Sequence, residues 1–445
     1  MMQNKIQFQK RKERLDKMKP TWRKVRLGLL VALLIASCVV STFGASGKTI
    51  IRVSSWIAPG ANVAFIKAFE RDHPDCKVQF EVTPFANYPT KLLADIAAGT
   101  PPDLAAISGG WLGMFVKNNA LVDLKPLLSK LRIKGVTPLS GYDPGPIAAA
   151  TYGGKLVGLP WSATAPAIVY DKTLFDKAGI PYPTPDWTWD DLKNIAAKIS
   201  ALSTKDNPVW GLFPYVASSI TYQDPILRAT GGQYVGPDGR ATGYLNSQKI
   251  VDGVKYIADF WAKGYAPPPD LAASVGSLSL LFNDKCAMVL NNGTWILDSA
   301  LAQNIDVDAK IGHVLPPKPR YITLTVHTLG IPVTAKNKEL AAKLALYYSG
   351  SEEVFAKSLS VYTPTVIVAA QKKQVALMGA EVIAEYNAIK EANGKRVFTM
   401  ETNVDGVTMF DVYTQALMSI ILGKATPEEA MTKAAQDYDK RVFGN

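Results

Sequence analysis

Residues 49–107 read TIIRVSSWIAPGANVAFIKAFERDHPDCKVQFEVTPFANYPTKLLADIAAGTPPDLAAI, and the apolar periods within this stretch decide the fold. Ile51 and Val53 share one face of a strand that ends at Ser54-Ser55-Trp56. A turn through Pro59-Gly60 leads into a helix with Phe65 and Phe69 four apart on one side, and Pro74 prevents its continuation. Val78, Phe80 and Val82 alternate as a second strand. The next helix carries Leu92, Leu93 and Ile96 and stops at Gly99, a natural C-terminal cap. Pro101-Pro102-Asp103 then turns into a strand over 104–107, with Asp103 read as a turn residue. This strand-helix-strand-helix-strand order predicts a mainly parallel sheet with helices on its faces. Ligands of such sheets meet the loops at the carboxyl ends of the strands. Here those loops are Ser54 to Gly60 and Ser108-Gly109-Gly110-Trp111, each with a tryptophan and small residues.

Further along, Tyr152-Gly153-Gly154-Lys155 to Leu159-Pro160 reads as a chain crossing. Helices are predicted over 172–178 and 190–199. Thr188 with Asp191 forms a capping box, which makes Trp187 and Trp189 structural. A helix over 248–263, a strand over 287–290 and a turn at Asn291-Asn292-Gly293 follow. Pro316 to Pro319 reads as a second crossing. Helices over 338–348 and 411–422 come next, the latter capped by Gly423, and Thr426-Pro427-Glu428-Glu429 opens a last amphipathic helix.

The 445 residues suit two lobes of roughly 150–200 residues each. A hydrophobic content of 48% with 20% charged residues excludes disordered and collagen-like chains. Residues 1–45 read as a secretory signal, with basic residues from Lys5 to Arg26 ahead of an apolar run over 27–36. Met1 and Met18 are both workable starts. Ile35-Ala36-Ser37-Cys38 has the form of a lipobox, which would make Cys38 the lipidated mature N-terminus. Cutting after Gly44 or Ala45 would instead release a soluble protein.

The signal changes the meaning of the net charge of +11. Residues 1–37 hold ten Lys/Arg against two Asp/Glu, which leaves 39 against 36, or +3, for the remainder. Nucleic-acid binding thereby loses its main support. Beyond the signal only Cys76 and Cys286 remain, and they read as two buried, unpaired thiols in different lobes.

Enzyme signatures are missing. No HExxH, EF-hand loop, P-loop or GxGxxG follows a strand, and there is no Gly-x-Ser-x-Gly elbow. Asp190-Asp191 lies in a helix's first turn, where acids favour the dipole. The strand-end loops are lined by Trp, Ser, Asn and Gly, a surface for binding rather than proton transfer. No catalytic residue, metal site or cofactor is expected.

Four stretches carry a family likeness. They are Ala97-Ala98-Gly99-Thr100-Pro101-Pro102-Asp103 with Leu121-Val122-Asp123-Leu124; Tyr152 to Thr188-Trp189; Phe282 to Trp295; and Gly423-Lys424 with Pro427-Glu428-Glu429-Ala430. In order and spacing they resemble the family 1 extracellular solute-binding proteins of ABC importers, the maltose-binding-protein type. Asp284 and Cys286 depart from the family's usual Gly and Ala, and Thr325-Val326-His327-Thr328 stands where a Gly-rich strand end is usual. The resemblance implies an α/β, two-lobed periplasmic-binding-protein-like fold of type II. Lobe one would comprise 48–157 plus 317–360, and lobe two 158–316 plus 361–445. It also implies a monomer, periplasmic or cell-surface, that captures a sugar or oligosaccharide by lobe closure. Delivery would be to the permease subunits of an ABC transporter, and membrane contact would come only through a lipid anchor. A non-sugar solute such as a glycerol phosphate, or a secreted carbohydrate-active enzyme, is the alternative.

Sugars present flat C–H faces and a rim of hydroxyls, so their sites combine aromatic faces with neutral hydroxyl and amide groups. Trp295, after Asn291 and Gly293, looks like the family's sugar-stacking tryptophan, and Phe410 like its C-terminal stacking aromatic. Ser108 and Trp111 resemble the lobe-one contact loop. Trp56, Trp161, Ser162, Tyr222, Gln223 and His327 complete the expected ligand set.

Overall fold

Alternation sets the first strand: β1 (Thr49–Ser55) buries Ile51 and Val53 completely, and Ile50 stays exposed. Helix α1 (Val63–Asp72) turns Phe65 and Phe69 into the same core, four residues and about one turn apart. Strand β2 (Cys76–Val82), helix α2 (Tyr88–Ala97) and strand β3 (Leu104–Ile107) complete the predicted succession. Gly99, at φ 74°, ends α2 in the left-handed conformation that a glycine adopts without penalty. Strand β1 pairs in parallel with β2 on one side and β3 on the other. Helix α3 (Gly109–Lys117) starts directly after β3. Asp103 is the turn residue expected: its carboxylate accepts from the backbone N–H groups of Arg52 and Asn337.

The protein is described here by a computed structural model. It covers residues 47–56, 63–85, 87–164, 167–216, 219–291, 299–300, 303–323, 325–351, 397–398 and 404–444. The later strands are β4 (Leu159–Thr164), β5 (Ala167–Asp171), β6 (Trp210–Phe213), β7 (Cys286–Asn291), β8 (Ile311–Val314) and β9 (Thr325–Gly330). One sheet runs β2-β1-β3-β9-β4 and a second runs β8-β5-β7-β6. The first is mixed rather than mainly parallel, because β9 pairs antiparallel with both β3 and β4.

The first crossing also differs from the sequence reading. Tyr152-Gly153-Gly154-Lys155 is a tight hairpin between Thr151–Tyr152 and Lys155–Leu156, not a crossing. Gly153 and Gly154 both have positive φ, which a two-residue hairpin loop demands. The chain instead passes between sheets after β4, whereas the sequence reading starts lobe two at residue 158. It returns between β8 and β9, through the segment holding Pro316 to Pro319.

Helices α4 (Lys172–Ala178), α5 (Trp189–Ser200), α6 (Ser219–Ala229), α7 (Gln248–Ala262), α8 (Lys338–Gly350), α9 (Gly406–Ile421) and α10 (Pro427–Phe443) clothe the sheets. Capping boxes at Thr188/Asp191 and Thr426/Glu429 start α5 and α10. Trp187 and Trp189 are structural, their indole N–H groups donating to the carbonyls of Leu315 and Pro319. Helix α9 begins before the predicted residue 411, because Asp405 caps it by accepting from the Thr408 N–H.

Each sheet has its own core. Phe69, Leu92, Leu104 and Phe115 belong to the first, and Phe175, Phe260, Met288, Tyr413 and Tyr438 to the second. Cys76 and Cys286 are both free and buried, in separate clusters. Burial pushes the thiols of both up from their usual range. Among the described residues no helix is long and apolar enough to cross a membrane.

Candidate functional site

The carboxyl ends of β1 and β3 lie side by side, so the residues just beyond them must meet. Trp56 follows β1, and Ser108 takes the N-cap position of α3 with extended backbone (φ −70°, ψ 144°). Ser108 is buried, and its carbonyl accepts from the Trp111 N–H, which sets the first turn of α3. The indole of Trp111 thereby arrives edge-on at Trp56, with centroids 5.0 Å apart.

Trp56 is the hub. His327 lies 5.4 Å from it, Tyr88 5.6 Å, Phe85 5.8 Å and Trp161 6.5 Å. Phe85 and Trp111 touch at 4.5 Å, and Tyr88 stacks on Trp111 at 5.7 Å. The Tyr88 hydroxyl donates to the Ser54 carbonyl, tying α2 to the end of β1. Six elements (β1, β2, α2, α3, β4 and β9) bring rings here because β4 and β9 extend the sheet that β1 and β3 began. Trp111 and Trp161 are only 2% and 4% exposed, so they form walls, while Trp56 is half-buried and Phe85 is exposed.

Four of the expected tryptophan, serine and histidine positions are therefore one cluster with Trp56: Trp111, Trp161, Ser162 and His327. Phe85, Tyr88 and Tyr348, which edges against Trp161 at 5.3 Å, were not expected there. Phe85 had a readable signal, since it stands three residues past the carboxyl end of β2. Tyr88 and Tyr348 sit within helices and carried none.

The other expected residues fall elsewhere. Tyr222 lies on α6 and stacks on Tyr215 at 4.2 Å, and burial pushes its phenol up to about 12. Gln223 is fully buried, and its amide is occupied at both ends. Its Nε2 donates to the carbonyls of Pro214 and Tyr215, and its Oε1 accepts from the Tyr413 hydroxyl. It thus positions the loop that carries Tyr215. Asn291 is the last residue of β7. The side chain of Asn291, together with Gly293, Trp295 and Cys38, lies outside the described residues.

Phe410 is half-buried on α9 and packs against the cores of both sheets. It reaches the first sheet's side beside Gly110, where a Cβ would lie 2.8 Å from the Phe410 ring.

The cluster's contributions are neutral: indoles, a phenyl, phenols and serine hydroxyls. Burial lowers the His327 imidazole to about 4, so it is uncharged at pH 7. Among the described residues no group of His, Cys, Asp and Glu could hold a metal ion. The arrangement can bury an apolar face and hydrogen-bond a neutral rim.

Comparison with known proteins gives a consistent picture. The sequence profile described as bacterial extracellular solute-binding protein matches residues 55–354. A galactooligosaccharide-binding protein of Bacillus subtilis is 25% identical over 386 residues, covering 83% of this chain and 84% of that protein. A Brucella abortus binding protein is 32% identical over 247 residues, 55% of this chain. That match spans 57% of the Brucella protein's own length. An ABC substrate-binding protein from Listeria monocytogenes, in complex with cycloalternan, superposes with a TM-score of 0.72 at 24% identity, covering 89% of this chain and 99% of that one. Maltose-bound T. maritima MalE3 gives 0.73 at 18% identity, covering 88% and 100%. At these identities the two structures speak for a shared fold.

Proposed function

The chain belongs to the bacterial extracellular solute-binding protein family, and from that premise we propose that it captures a sugar or oligosaccharide outside the cytoplasm and hands it, unchanged, to an ABC importer. The observation that carries this reading is the aromatic cluster around Trp56, set at the strand ends and fringed by Ser108, Ser162 and His327. Indole faces suit the C–H faces of a pyranose, and neutral hydroxyl and imidazole groups suit its rim. A phosphate would call for Arg or Lys in the same place, and the cluster's rings and hydroxyls supply none.

In this reading the first sheet, including β4, founds lobe one and the second sheet founds lobe two. The ligand lies between them, against Trp56 and Trp111 from one side and Trp295, Tyr222 and Phe410 from the other. A ligand that touches both lobes favours the closed arrangement by its differential affinity for it. The closed form is then what the permease subunits recognise. Residues 1–45 export the chain, with Cys38 as a lipid anchor or with release after Gly44 or Ala45.

Thermal unfolding against maltose, mannotriose, galactooligosaccharides and sn-glycerol 3-phosphate tests the reading. A ligand at about 100 times its Kd adds about 2.7 kcal/mol, which for a body of roughly 400 residues raises Tm by about 3 °C. We expect that shift with an oligosaccharide and its loss in Trp295→Ala. A shift with glycerol phosphate alone would replace the sugar by a charged solute.

A further inference from the structure

Strands β4 and β9 are antiparallel, and their register slips between His327 and Thr328. His327 pairs with Ser162, whereas Thr328 pairs with Pro160. Trp161 is therefore the extra residue of a β-bulge, a device that re-aims side chains and is common beside functional sites. Directly opposed residues of an antiparallel pair project from the same face of the sheet. Ser162 and His327 are such a pair, and the bulge sets Trp161 next to them. The imidazole lies nearly parallel to the Trp161 ring at 5.6 Å and meets Trp56 edge-on.

Ser162 is 0% exposed. Its Oγ and the Nδ1 of His327 are both buried with no hydrogen-bond partner among the described residues. Buried polar atoms are normally paired, because leaving them unpaired forfeits their hydration. Two unpaired atoms on one cross-strand pair, inside the aromatic cluster, are hard to account for by folding alone. Alanine and phenylalanine would fill the same space without that cost.

We propose that Ser162 and His327 together read one hydroxyl of the bound solute. The hydroxyl gives its hydrogen to one of the two atoms and accepts a hydrogen from the other. This rests on the sugar-binding reading above and adds the group recognised. The serine hydroxyl can donate or accept and Nδ1 of the neutral imidazole takes either role by its tautomer, so a hydroxyl, which also does both, fits the pair in either tautomer; a carboxylate, phosphate or ammonium would instead carry its charge in among buried, uncharged rings. Ser162 and His327 are then specificity residues, and Trp161 is the flat wall beside them.

The test is calorimetric titration of the wild type, Ser162→Ala, His327→Phe and the double variant. Each is titrated with maltose, mannotriose, galactooligosaccharides and sn-glycerol 3-phosphate, and each ligand-free Tm is recorded. We expect each single variant to bind the wild type's sugar about tenfold more weakly or worse. The double variant should be little weaker than the weaker single, because both atoms serve one hydroxyl. Ligand-free Tm should equal or exceed the wild type's, since each change removes an unpaired buried atom.

Wild-type affinity in the variants, while the wild type binds sugar, would overturn the hydroxyl reader and leave the sugar reading standing. A fall in Tm in step with affinity would also overturn it, by making the pair structural. A wild type that binds none of these sugars would sink the sugar reading and the reader with it.

Discussion

Trp111→Ala is expected to cost about 3–5 kcal/mol of stability, the range for truncating a buried aromatic, and to lower Tm by about 4–6 °C in a body of this size. Trp111 is 2% exposed and holds rings from three other elements: Trp56 after β1, Phe85 after β2 and Tyr88 on α2. Removing the indole leaves a cavity that these rings can fill only by tilting, and Trp56 would lose the edge contact that orients it. Sugar affinity should therefore fall together with stability. Trp111→Phe, which keeps a ring, should recover most of both. Denaturant unfolding and ligand titration on the same samples check this; an alanine variant with unchanged Tm would mean that the indole is not the wall the packing describes.

Gly406→Ala is expected to disturb the join between the two halves. Neither Gly406 nor Gly110 has a positive φ, so the backbone conformation does not require glycine at either position. Packing does. A Cβ on Gly406 would collide with the Gly110 carbonyl oxygen, a backbone atom at the start of α3. Because α9 lies in the second core and α3 in the first, the methyl group can fit only if the start of α9 retreats. Overpacking of this kind costs about 1–3 kcal/mol. Phe410 is one turn further along α9 and would move with it, so binding should weaken by about tenfold as well. Gly47→Ala, where a Cβ meets nothing within 4 Å, is the control and should change neither quantity. An alanine at 406 that leaves Tm and affinity untouched would refute a close helix contact there.

Much of the first sheet was legible because local chemistry and tertiary packing agree. The alternation at Ile51 and Val53, the Phe65/Phe69 spacing and the cap at Gly99 each have one local meaning, and the sheet uses all three. The Gly153-Gly154 hairpin was misread as a crossing because glycine pairs mark a turn without saying what the turn joins. The antiparallel insertion of β9 between β3 and β4 depends on pairing over more than 150 residues, which no local pattern encodes.

The site divides the same way. Trp56, Ser108 and Trp111 were visible because they stand just past predicted strands. The aromatic neighbours Tyr88 and Tyr348 were not, since a helical aromatic reads as core until its partners are known. Gln223 illustrates the reverse. An amide in a promising place is held by Pro214, Tyr215 and Tyr413, so its residue type suggested a contact that its surroundings use for support.

The measurement that tests the central claim most directly is mass spectrometry of the full-length protein, purified from its exporting cell and run native and then denatured. A sugar receptor of this architecture should release one neutral oligosaccharide per chain on denaturation, and titrating that sugar back should restore the native mass and a single binding isotherm. A phosphorylated or otherwise charged solute released in the same one-to-one ratio would contradict the account, because the neutral cluster around Trp56 has nothing to hold it.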